Sequence, residues 1–190
     1  MRHHYRTTQW LPYPVELVFA FFANPQNLPP LMPRWQKVRI EELRLTPPPP
    51  RPEEEGRLKL RSVAAGEGTE MVISFRPIPF CPIRLPWDAR ITEFVWNEHF
   101  CDEQGRRGPF HYWKHCHWVE EEQRDGTTGT RVTDDLTFSM RMGVLGEIGY
   151  WIAAKEQIAS LFDYRQKTVA KILAHFPFKT GEGQGPANAR

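Results

Sequence analysis

Trp113, His115 and His117 alternate along the run Trp113-Lys114-His115-Cys116-His117, and an extended chain points alternate side chains to one face. Two imidazoles one residue apart on a strand are the most chemically capable pair in this 190-residue chain. After a glycine-containing turn the chain returns through Val132, Asp134, Leu136 and Phe138, which also share a face. If the two faces coincide, two imidazoles and a carboxylate look into an otherwise apolar interior. Three kinds of chemistry fit that set. A His-x-His strand is half of a metal site, with Asp102, Asp134 or His111 as completion. A His/Asp pair in a cavity can act as acid and base on a carbonyl-containing ligand, with His115, His117 and Asp134 the candidates. The same groups can also bond to one another and to backbone, as a satisfied buried network.

Further residues limit these choices. No third metal ligand can be assigned to the correct strand and face, so no metal and no cofactor is expected. No nucleophile is evident, because Cys116 points away from the histidines that flank it. Arg165, on the last helix, is placed to reach Asp102 or Asp134, or to lay its stem along the sheet rim. Trp87, Trp113, Trp151 and Phe162 either line a cavity or fill it.

The elements that must position these groups follow from the pattern. Tyr5–Leu11 reads as a short strand, and Pro14 opens an apolar helix, Val15–Phe22. Asn24-Pro25 stops it, and a second short helical turn spans Gln26–Leu31. Strand character resumes over Trp35–Leu45, Arg57–Val63, Thr69–Arg76, Trp87–Trp96 and His99–Gln104. Two long strands follow across Gly108–Met140. The run Thr46–Gly56, TPPPPRPEEEG, is an extended proline-rich loop; as a PxxP segment it is also a candidate for a protein-interaction module. Beyond a Gly143–Gly146 hinge, a helix covers about Glu147–Phe176. Its apolar stripe is spaced by three and four residues, and this is the face that must lie on a sheet. The order implies an α+β fold with an antiparallel meander of about six to seven strands, a long C-terminal helix, and two short helices after strand 1. A single domain at 1–178, carrying the proline-rich loop at 46–56, is followed by a flexible tail at 179–190.

Composition narrows the function class. Apolar residues make up 40% of the chain, enough for a substantial core, and the net charge is only +2, with Lys and Arg interleaved among Asp and Glu. Nucleic acid is therefore not expected as a partner. The start, MRHHYRTTQWLP, lacks the apolar core of a signal peptide, and no segment reaches the ~20 apolar residues of a membrane helix. Cys81, Cys101 and Cys116 are odd in number and lack Cys-x-x-Cys spacing. Free, partly buried thiols in a reducing cytoplasm are expected rather than a disulfide.

The ordered motifs carry a resemblance. Asn24-Pro25, Phe100-x-Asp102-x-Gln104, Gly108-Pro109-Phe110, Trp113-x-His115-x-His117, Gly129-Thr130 through Asp134, Gly143-x-x-Gly146 and Phe162-x-Tyr164-Arg165 appear in the order seen in a bacterial branch of the SRPBCC proteins. The chain thus resembles the START/Bet v 1-like helix-grip superfamily, also called the polyketide cyclase/dehydrase-like group, from about Tyr5 to Phe176. The resemblance implies a curved sheet wrapped around the C-terminal helix, with a deep cavity between them for a lipid, polyketide-like or similar hydrophobic molecule. Trp113, His115, His117, Asp102, Asp134, Phe138, Trp87, Trp151, Phe162 and Arg165 are the expected ligand-binding residues. The expectation is binding of a small hydrophobic molecule, with cyclase/dehydratase-type catalysis or a protein-interaction module as alternatives. No activity carries over from that branch, and the sequence leaves a homodimer open.

Overall fold

The computed structural model describes residues 1–51, 63–143, 146, 151 and 154–175. Seven strands form one antiparallel sheet: β1 (His3–Leu11), β2 (Arg39–Arg44), β3 (Glu70–Phe75), β4 (Leu85–Val95), β5 (His99–Gln104), β6 (Phe110–Arg124) and β7 (Thr127–Met140). Their spatial order is β1-β7-β6-β5-β4-β3-β2. The meander from β2 to β7 is thus laid down strand by strand, and β1 closes on the last strand rather than on its sequence neighbour. This is the curved helix-grip sheet expected from the sequence, with seven strands.

Helix α1 (Val15–Ala23) begins after Pro14, whose fixed φ suits a helix start. All its residues except Phe22 are buried, as a helix apolar all round requires. It ends at Asn24, whose Oδ1 accepts the Gln26 N–H at 3.1 Å, and Asn27 Nδ2 reaches back to Phe21 O at 2.8 Å. Three short 3-10 turns follow, Pro25–Asn27, Pro29–Leu31 and Arg34–Gln36, where one short helical turn was expected. Prolines at the first positions of two of them prevent a longer helix by removing N–H donors.

Helix α2 (Lys155–Ala174) buries Ile158, Phe162, Val169 and Leu173, one stripe at helical spacing. It lies within the helix expected from about 147 to 176. The residues expected in its first two turns lie largely outside the described set. Gln166 fixes it to β1: its Nε2 donates to Thr7 Oγ1 at 3.0 Å, and its carbonyl accepts from Gln9 Nε2 at 2.9 Å. The stripe divides between two buried clusters. Val169 and Leu173 join α1, Phe94 and Phe100, while Ile158 and Phe162 join Phe110, Trp113, Leu136 and Phe138.

The strand expected at Arg57–Val63 and the tail at 179–190 lie outside the described residues. The described half of the proline-rich loop is held by the domain itself: Trp96 Nε1 donates to Pro49 O at 2.7 Å, and Arg51 stacks 4.3 Å from the Trp96 ring centroid. Gly66 runs so close beneath it that a Cβ there would meet Pro48 Cα at 2.5 Å.

The expectation of free thiols at Cys101 and Cys116 is corrected. The two residues pair directly across β5 and β6, with Cα atoms 4.1 Å apart, and form a disulfide. Cys81 remains free. The odd count concealed a pair because only sheet register brings residues 15 apart face to face.

Candidate functional site

The alternation of β6 places Trp113, His115 and His117 on the inner face of the sheet, each less than 8% exposed. Register does the rest. His117 lies opposite Asp134 on β7 and opposite Phe100 on β5, while His115 lies opposite Leu136 and Asp102. The two faces that the sequence left conditional do coincide.

The polar atoms form one continuous line. Asp134 Oδ1 lies 3.0 Å from His115 Nε2 and 2.8 Å from His117 Nδ1, the latter at too oblique an angle for a well-formed hydrogen bond. On the other side of His115, Nδ1 faces Asp102 Oδ1 at 3.6 Å. Trp113 Nε1 donates to Asp102 Oδ2 at 3.3 Å. At the far end Arg165 Nη2 sits 3.2 Å from His117 Nε2. A guanidinium can only donate, so Nε2 of His117 accepts and its proton resides on Nδ1, toward Asp134.

This tautomer agrees with the electrostatics. Burial, the neighbouring His115 charge and Arg165 together push His117 down to about 4, against the pull of Asp134. His117 is therefore neutral at neutral pH. Burial also works against charge on His115, yet pairing with Asp102 and Asp134 outweighs it and raises the imidazole above its usual value. Burial raises both carboxyls, but His115, His117 and Arg165 more than compensate. Asp102 ends below the ordinary carboxylate range and Asp134 well below it. The result is a set in which the His115 imidazole lies between two carboxylates, and the neutral His117 imidazole between a carboxylate and a guanidinium. Buried charge is tolerated only when paired in this way.

A cavity opens beside this line, between the concave sheet, the 3-10 turns and α2. Its free volume with the open mouth included is about 1030 Å³. Of the ten residues expected to bind ligand, Trp87, Asp102, Trp113, His115, His117, Phe162 and Arg165 line it. Asp134 and Phe138 do not: both stand on the inner face of β7, Asp134 screened from the cavity by the two histidines and Phe138 buried in the core. Trp151 is 63% exposed and contributes no wall. His111 is exposed at the start of β6, away from the cavity. Arg165 reaches His117, not the carboxylates expected of it. The sequence missed the wall formed by Phe22, Leu28, Leu31 and Met32, together with Ile73 and Ile91 of the sheet. The stop at Asn24-Pro25 was the one signal that the chain turns there across a cavity.

Asp102, His115 and His117 each present a donor atom within 4.8 Å of one another, the spacing of a metal site. The donor chemistry argues against that use. His115 Nε2 and His117 Nδ1 face Asp134, and the remaining His117 nitrogen faces a guanidinium. Among the described residues lining the cavity, Trp87 Nε1 and Arg165 Nε are buried without a hydrogen-bond partner, an uncommon condition for buried donors.

Residues 11–162 match the family model described as polyketide cyclase / dehydrase and lipid transport. The chain belongs to that family. Solved structures show the same fold at low identity. The protein TTHA0849 from Thermus thermophilus is 17% identical, with a TM-score of 0.56 over 92% of this chain and 100% of that one. Norcoclaurine synthase from Thalictrum flavum is 10% identical, with a TM-score of 0.57 over 93% and 88%. Protein Ms6760 from Mycobacterium smegmatis is 13% identical, with a TM-score of 0.55 over 90% of each chain. Among curated proteins, none matches the chain by sequence. No described helix of this family member is long and apolar enough to cross a membrane.

Proposed function

We propose that this family member binds a small, largely apolar molecule between its sheet and α2, and that the buried polar line orients the ligand's polar end. The observation that carries this reading is the cavity wall itself. Aromatic and aliphatic side chains surround one short polar strip, the usual make-up of a small-molecule site. The strip also specifies the head group. Arg165 Nε and Trp87 Nε1 lack acceptors, so the ligand presents an oxygen acceptor. Asp102 and His115 in the wall already face each other at 3.6 Å, so an uncharged ligand adds no unpaired charge to the site.

Matched naphthyl probes test this. The carbonyl compound 2-acetylnaphthalene is expected to bind about tenfold more tightly than 2-ethylnaphthalene, the worth of one buried hydrogen bond to a charged donor. Arg165→Leu is expected to remove that difference. Absence of binding by either probe, together with no apolar compound extracted from the purified protein, would count against a ligand cavity.

One observation favours a second reading, acid–base catalysis. His117 is neutral at neutral pH, and its Nε2 lone pair is held by Arg165 at the cavity wall. A ligand oxygen that draws Arg165 away frees that lone pair as a base. Turnover of a carbonyl substrate that His117→Gln abolishes without lowering the melting temperature would support it.

A further inference from the structure

One end of the sheet gathers the connections β3–β4 (76–84), β5–β6 (105–109) and the exit of β7. Backbone and side-chain bonds tie them into one rim. Asp88 N donates to Arg107 O at 2.9 Å, Arg107 Nε bonds Asp88 Oδ1 at 2.9 Å, and Arg141 Nε donates to Phe110 O at 2.8 Å. This rim carries apolar side chains that the fold leaves in water. Ile78 is 52% exposed, Phe80 99%, Ile83 64% and Met142 76%. Phe80 takes φ +63°, a backbone conformation that L-residues rarely adopt, so its ring stands at the tip of a fixed turn. Large apolar residues clustered in this way on a surface mark an interaction site.

The charge around them is mainly positive. Arg76, Arg84, Arg106, Arg107 and Arg141 lie at this end. Against them, the described acids are Asp88, Glu41 and Glu42, and Asp88 is already paired with Arg107 at 2.8 Å. Basic residues thus outnumber acidic ones where the apolar side chains protrude. Ile78, Phe80 and Ile83 stand on one connection and, with Met142, line neither of the described pockets, which disfavours a peptide or helix as occupant. Protruding apolar side chains within a mainly basic rim match the interface of a bilayer carrying anionic lipid.

We propose that this end of the sheet docks on an anionic membrane surface, with Phe80, Ile78 and Ile83 entering the headgroup region and the surrounding arginines meeting lipid phosphates. Docking in this orientation brings the cavity near the bilayer, because the lining residues Ile73 and Trp87 lie two residues inboard of the 76–84 connection, on β3 and β4.

Sedimentation of the purified full chain with vesicles tests the proposal, using phosphatidylcholine with and without phosphatidylglycerol. The protein is expected to sediment with the anionic vesicles only, and less so as salt rises. The double variant Phe80→Ser/Ile83→Ser is expected to lower partitioning by roughly tenfold or more. Its melting temperature should not fall, since both side chains are exposed. Arg106→Glu, also exposed, is expected to weaken binding to the anionic vesicles. Failure to sediment with anionic vesicles at low salt would overturn the proposal, as would equal partitioning of the serine variant. Capture of a protein partner by this end, with no vesicle binding, would overturn it too.

Discussion

His115 and His117 share a strand, a face and a carboxylate, yet their imidazoles are shifted in opposite directions. His115 lies between Asp102 and Asp134, while His117 faces Asp134 on one side and Arg165 on the other. The consequence is a pH dependence with two limbs. His117 is depressed to about 4 in the folded chain, while its unfolded value is near 6.5. The unfolded chain therefore binds the extra proton between those values, and stability falls as pH drops through that window, by about 2 kcal/mol at pH 5. His115 is raised, so its contribution is complete below its unfolded value and is lost as pH climbs through its folded one. Chemical denaturation across pH is expected to show maximal stability between the two limbs, and His117→Asn should flatten the acid limb. Asp134→Asn, which removes the carboxylate both rings share, is expected to cost about 3 kcal/mol by leaving His115 short of a partner. A loss below about 1 kcal/mol would show that the line does not depend on that charge.

At the scale of elements, β6 bears the site on one face and a covalent clamp on the other. Cys116 lies between the two histidines and joins Cys101, the neighbour of Asp102 on β5. As a disulfide, Cys101 Sγ has no proton to give Glu93 Oε2, 3.5 Å away, so the polar partner of Glu93 on that face is Lys114. Closing a loop of this length stabilises by about 3 kcal/mol in the chain-entropy account. Reduction is therefore expected to lower the unfolding free energy measured by denaturant titration by that amount, and Cys101→Ser should give a chain indifferent to reductant. An intact mass showing three free thiols in oxidised protein would remove the clamp from the structure. Helix α2 makes the complementary contribution. Gln166 pins it to β1, which sets Arg165, one residue earlier, against His117.

For the whole molecule, the order of elements was readable because each obeys a local rule. Period-two alternation gives the meander, Asn24-Pro25 ends α1, and the stripe through Ile158, Phe162, Val169 and Leu173 gives the last helix. The glycine-proline turn before β6 was equally plain, and the structure supplies its reason. Gln104 grips Phe110 through both its amide N and O, and a Cβ at Gly108 would lie 1.9 Å from Gln104 Oε1. Trp151 was misplaced in the cavity because its spacing continues the stripe of α2, whereas Trp151 and Ala154 lie in a wider π-helical turn that shifts the register of that stripe.

The sequence by itself determined the fold class and the face on which Trp113, His115 and His117 stand, since both follow from periodicity within a segment. Tertiary structure alone decided which carboxylate each imidazole meets and that Arg165 caps His117. It also made Cys101 and Cys116 a pair, although their number and spacing suggested free thiols. These are matters of strand register and of where α2 comes to rest. Register between distant strands is fixed by the summed packing of a whole buried face, and no residue type carries that information alone.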